Sequence, residues 1–200
     1  MPTIAEALRA LEGSLAIARR DPDASRFFDL SAGSFWRSFG VVIYLVPIFV
    51  FFLAVRTRMS VELGDTALEP MPGFLVLILS DMLTLGIEWV GYPLAMYFLT
   101  RTFGLAGRFA AYIIVYNWTS LAVTLVMVPP YLLYAAGLLP AETAVVINLV
   151  TVLAVIWFRW VIAREVLAAP GISAAGFVAL DLVMSLFINL VIASVFFGTP

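Results

Sequence analysis

Five stretches of this chain are too long and too apolar for the half-buried elements of a water-soluble domain, and they leave it little choice of fold. A bilayer core of about 30 Å needs ~20 consecutive apolar residues in helix. Runs of about that length, bounded by charges or by Pro and Gly, fall at residues 40–55, 74–99, 109–128, 143–162 and 174–197. The first is short unless residues 35–39 are counted with it, and the second is long enough to tilt. Pro129 and Pro130 predict a break at the end of the third, leaving "YLLYAAGLLP" as an interfacial or re-entrant piece.

Composition agrees, with 64% of residues hydrophobic and 12% charged, against roughly 45–50% and about 25% in soluble proteins. The expected class is all-α: a polytopic membrane protein of five transmembrane helices, residues 39–200, preceded by a cytoplasmic amphipathic, interfacial segment, residues 1–38. The first long run begins near residue 39, too far in for a cleaved signal peptide, so the chain is expected to keep Met1. With neither cysteine nor histidine, structural zinc, haem ligation, iron–sulfur clusters, disulfides, thiol chemistry and imidazole catalysis are excluded. No metal, no cofactor and no nucleic-acid partner is expected.

Orientation follows from the arginines in the short flanking segments. Nine fall on one side: Arg9, Arg19, Arg20, Arg26 and Arg37 before the first span, Arg101 and Arg108 after the second, Arg159 and Arg164 closing the fourth. Only Arg56 and Arg58 fall on the other. The N-terminus is therefore expected in the cytoplasm and Pro200 outside. Before the first span, Thr3 with Glu6 fits a capping box, and Ile4, Leu8, Leu11, Leu15 and Ala18 recur at helical spacing. That stripe either lies in the interface while Arg9, Arg19 and Arg20 meet headgroups, or packs on the cytoplasmic ends of the bundle. Phe27, Phe28, Phe35, Trp36 and Phe39, with Trp157 and Trp160, read as interfacial anchors.

Polar residues inside the spans carry the functional signal, because in hydrocarbon they are costly and turn toward one another. At ~1.5 Å per residue, Asp81 and Asn148 fall toward the outer leaflet, Glu88 and Asn189 near the midplane, and Asn117 and Asp181 toward the cytoplasmic side. Asp81 and Glu88 share one face of the second span, while Asp181, Ser185 and Asn189 form a matching stripe on the fifth. Glu88 has no cation at its depth, so it is either a proton- or ion-handling carboxylate or a protonated acid bonded to Asn189, Asn117 or a carbonyl. Asp181 is expected to pair with Arg159, or with Arg164 or Arg108. Asp81 is expected to be wet. Gly86, Gly91 and Pro93 suggest a second span that bends or packs closely near these acids. The sequon "NWT" at Asn117 lies within a span and carries no glycan.

This layout resembles the YIP family of five-pass membrane proteins, in its bacterial type, over residues 39–198. The resemblance rests on "RTFGLAGRFAAYIIVYNW", "LVMVPPYLL", "VIWFRWVIARE" and "PGISAAGF" in their order along the chain. It implies a five-helix, N-in and C-out fold in the inner membrane and a non-enzymatic, scaffold-like role. It carries no site residues across.

Two functions follow. One is a scaffold or accessory protein acting through helix packing with lipids, partner membrane proteins or further copies of itself. The other is a small transporter or channel using Glu88 and Asp81. The chain shows no phosphate loop and no nucleophile–base pair, and it is not expected to be an enzyme.

Overall fold

The structure, a computed structural model, describes residues 1–64 and 72–198. The placement expected for Pro200, and the middle of the loop after the first span, lie outside the described residues. The described residues form seven α-helices: α1 Ile4–Ala18, α2 Ala32–Phe39, α3 Val42–Glu62, α4 Phe74–Thr102, α5 Phe109–Ala135, α6 Ala141–Glu165 and α7 Gly171–Phe197. Five stretches, α3 lengthened by α2 and then α4 to α7, are long and apolar enough to cross a membrane. The end of the bundle that carries α1 and α2 is called proximal below, and the other end distal.

α5 is the centre. Tyr112, Ile113, Ile114 and Val115 are each at most 2% exposed, and four successive residues at ~100° intervals face every direction around a helix. It is wrapped by α1, α2, α3 and α6, and touched only lightly by α4. α4 packs instead on α7, and α7 on α6. In lipid such helices are held by close packing and polar bonds rather than by the hydrophobic effect, so the thin contact of α4 with α3 and α5 leaves a gap between them. Gly86 faces open space, and Gly91 gives room to the Met184 methyl; only the second packs closely.

The break expected at Pro129–Pro130 does not occur, since α5 runs through both prolines to Ala135. The missing N–H groups are tolerated because the last turn is tied to its neighbours. Tyr134 Oη donates to Glu62 Oε2 of α3 at 2.7 Å, and Asn148 Nδ2 of α6 donates to Tyr131 Oη at 3.1 Å. Tyr131 also lies on the Phe52 ring, centroids 4.6 Å apart.

α1 begins as expected, with Glu6 N donating to Thr3 Oγ1 at 3.2 Å and Thr3 N to Glu6 Oε2 at 2.8 Å. Its packing face is not the aliphatic stripe. The small residues Ala7, Ala10, Gly13 and Ser14, with Ile17, are buried against the bundle, while Ile4, Leu8 and Leu15 point away. Small side chains allow a closer approach of the backbones, which leaves the large ones to the surroundings. The N-terminal segment thus shares one core with the spans, through Ala10, Ile17, Phe28, Tyr112 and Trp118. The boundary expected at residue 38 falls inside α2. Of the aromatic anchors, Trp36 is exposed and Phe28 is buried.

Arg37 locks this segment, with Nε 3.3 Å from Glu6 Oε1 and Nη2 2.7 Å from Asp29 Oδ2. Burial works to raise the Glu6 carboxyl, but the hydrogen bonds from Thr3 and the charge of Arg37 outweigh it and hold it below its ordinary value. Bonds from Ser31, then Arg37, lower Asp29. A lowered carboxylate stabilises the fold above its unfolded pKa and loses that contribution as pH falls through the folded value. Glu6→Gln is therefore expected to lower the melting temperature at pH 7, by an amount worth about 1 kcal/mol for a partly buried pair at the protein surface. The gap to the parent protein should close below the ordinary carboxylate range; a gap unchanged at low pH would refute the role given to Glu6.

Candidate functional site

The gap beside α4 is a cleft of about 300 Å³, walled by α3, α4, α5, α6 and α7 and lined by Arg56, Asp81, Glu88, Arg159 and Asp181 among apolar side chains. Five charged groups converge there from four helices, α5 supplying none.

Tyr116 of α5 organises the inner part. Its carbonyl accepts from Arg159 Nη1 at 3.0 Å, its ring lies 3.8 Å from the guanidinium carbon, and its hydroxyl donates to Asp181 Oδ2 at 2.6 Å. Ser120 Oγ donates to the same carbonyl at 2.9 Å and turns a lone pair to Arg159 Nη2 at 2.8 Å; Thr119 Oγ1 does likewise, more loosely, at 3.4 Å from Nη1. The expected ion pair between Asp181 and Arg159 is not made, and no carboxylate lies within 4 Å of Arg159 among the described residues. Tyr116 stands between the two, satisfying the acid with its hydroxyl and the cation with its ring. Six residues in from the end of α6, Arg159 belongs to the interior rather than to the flanking arginines.

Glu88 is held across the α4–α7 contact, where Oε1 accepts from Ser185 Oγ at 2.6 Å and from Asn189 Nδ2 at 3.3 Å. The matching stripes on the second and fifth spans therefore do face each other. Asp81 stays partly exposed and is also gripped by Arg56, whose Nη2 reaches both carboxylate oxygens at 2.9 and 3.0 Å. The pair straps α3 to α4 at the distal end. The polar side chains of the spans do not all bond to one another. Asn117 turns to the proximal end and donates from Nδ2 to Ser38 Oγ of α2 at 3.0 Å. Asn148 bonds Tyr131 at the distal end, and its Oδ1 is buried with no partner among the described residues. That atom borders a smaller cavity of about 210 Å³, which shares Arg56 and Tyr131 with the cleft.

The proximal floor is closed. Tyr92 and Tyr112 share a buried hydrogen bond of 2.6 Å between their hydroxyls, beside the fully buried Met96. Trp89 Nε1 donates to the Phe39 carbonyl at 2.9 Å and shuts the edge between α2 and α4. Two of the residues that build the site were not singled out from the sequence. Tyr116 shows only as the second of two tyrosines four residues apart, one helical turn, and Arg56 read only as a topological charge.

Among the described residues no three acidic side chains come together as a metal site. The arrangement supplies a guanidinium and two carboxylates reachable from one cavity, suited to holding charge. Compared with known proteins, the chain matches no family model, no curated protein and no solved structure.

Proposed function

We propose that this membrane-spanning helical protein is a small, non-enzymatic carrier that takes small charged or polar solutes into the cleft beside α4. One observation carries the reading: Arg159, held only by neutral acceptors, faces the same cavity as Glu88 and Asp181. Intramembrane charges of this kind mark solute or ion pathways by default. With Arg159 assigned to the interior, eight flanking arginines remain at the proximal end. That bias supports a proximal end in the cytoplasm, a distal end outside and an inner-membrane location. The five-helix plan is also what supports placing the chain with the YIP family.

A scaffold or accessory role is the second reading. It is favoured by the α1–α2 cap, which leaves Ile4, Leu8, Leu15 and Trp36 exposed at the proximal end.

The chain has no cysteine, so single thiols report cleanly. Thr124, buried in the cleft wall, tests the carrier reading as Thr124→Cys in sealed vesicles. It is expected to react with a membrane-impermeant thiol reagent from the distal side, and more slowly from the proximal side as the tyrosine floor opens. Reaction from one side only would overturn the carrier reading. Reaction from neither would remove the cleft as a solute site and leave the scaffold reading.

A further inference from the structure

We infer that the cleft's ligand is a small zwitterion, an ammonium and a carboxylate a few bonds apart as in an α-amino acid. The inference rests on the solute-handling reading above and names its substrate class.

The valences left over in the cleft say what is missing from it. A guanidinium has five N–H donors, and Arg159 makes three bonds to the protein, one of them a loose 3.4 Å. Its remaining donors have no carboxylate within 4 Å among the described residues. Two parallel N–H donors on a fixed plane are what a carboxylate accepts best. On the acidic side, both protein bonds to Glu88 fall on Oε1, and the one bond to Asp181 falls on Oδ2. Each acid therefore keeps one oxygen that takes no donor among the described residues, and an ammonium has three donors to give. Arg56 and Asp81 neutralise each other at the distal end and ask for nothing.

Spacing favours one molecule rather than two. Asp181 is bonded to the hydroxyl of the same tyrosine whose ring supports Arg159, so cation and anion are set apart by about the length of one side chain. Glu88 closes the acidic wall from α4. A simple anion brought to Arg159 would meet two carboxylates, and a simple cation brought to the acids would meet Arg159 with its donors still unused. A molecule carrying both charges answers both walls. At about 300 Å³ the cleft sits at the small end of the ~300–1,000 Å³ range of small-molecule sites, which suits a compact zwitterion.

The test uses the full chain in lipid nanodiscs and calorimetric titration with the neutral L-amino acids, ethylamine and propionate. At least one amino acid is expected to bind about ten-fold or more tighter than either half-ligand, because each half leaves one desolvated charge unanswered. Arg159→Gln should abolish the preference for the amino acid over ethylamine, the amino acid losing at least about ten-fold more affinity than ethylamine does. Asp181→Asn, which keeps an acceptor for Tyr116, should weaken ethylamine and amino acid together. Ethylamine or propionate binding as tightly as every amino acid would overturn the zwitterion, as would the absence of any amino-acid binding. The labelling of Thr124→Cys decides the parent reading independently, so an open cleft that binds no amino acid refutes this inference alone.

Discussion

Arg159→Leu is expected to lower the unfolding free energy of the bundle by about 3 kcal/mol, among the largest effects of any single substitution in the spans. A hydrogen bond to a charged group contributes roughly 1.5–3 kcal/mol net, a guanidinium over a ring about 0.5–2, and the cost of burying the charge offsets part of both. Leucine removes the bonds to the Tyr116 carbonyl and Ser120 hydroxyl at 3.0 and 2.8 Å together with the ring contact at 3.8 Å. It also leaves Glu88 and Asp181 lining a cavity without their interior cation. Lysine should not rescue, because one ammonium cannot reach two acceptors in a plane while lying flat on Tyr116. Equilibrium unfolding in mixed micelles measures the effect. A variant as stable as the parent would mean that water replaces these bonds and that Arg159 does not hold the cleft's shape.

The second large effect lies at Gly13. A Cβ there would stand 2.6 Å from Phe28 Cε2 and 2.7 Å from Phe28 Cζ and Phe27 Cβ, distances at which something must move. Phe28 is itself buried, so its ring has no free direction to take. Gly13→Val is expected to destabilise the docking of α1 by about 2–3 kcal/mol, in the range of overpacked cores, and to raise amide exchange across residues 4–28 while α4 and α7 keep their protection. Combining it with Phe28→Ala should recover part of the loss by opening the space. Unchanged protection of α1 in the single variant would show that the segment is not seated on this contact.

The spans themselves were legible because the requirement that sets them is local: about twenty apolar residues in a row need no knowledge of their neighbours. Even so, α3 runs on to Glu62, beyond the apolar stretch, because the backbone continues past the residues that define it. The capping box at Thr3 and Glu6 was legible for the same reason, since both partners lie within one turn.

Partnership was not legible in the same way. Tyr116 meets Asp181 across 65 residues and Glu88 meets Ser185 across 97, and residues at one depth on different helices are equivalent until the helices are rotated and ordered. Of the partners expected for Glu88, Asn189 bonds it and Asn117 bonds Ser38 instead. Propensity misled at Pro129 and Pro130, where the fate of the helix depended on Tyr134 and Glu62 from another span. In α1 two roles were open for the aliphatic stripe, and the small residues took the packing face while Ile4, Leu8 and Leu15 stayed exposed.

By itself, then, the sequence determined that this protein is an all-helical membrane bundle of five spans with acids and amides placed inside it, because hydrocarbon length and the avoidance of unpaired polar groups act residue by residue. Only the tertiary structure decided that α4 stands off from α3 and α5, that a tyrosine separates Arg159 from Asp181, and that the interior acids share a cleft with a cation bound only to neutral groups. Those outcomes depend on which helix faces lock together, and in lipid that choice is made by close packing and hydrogen bonding between segments far apart in the chain.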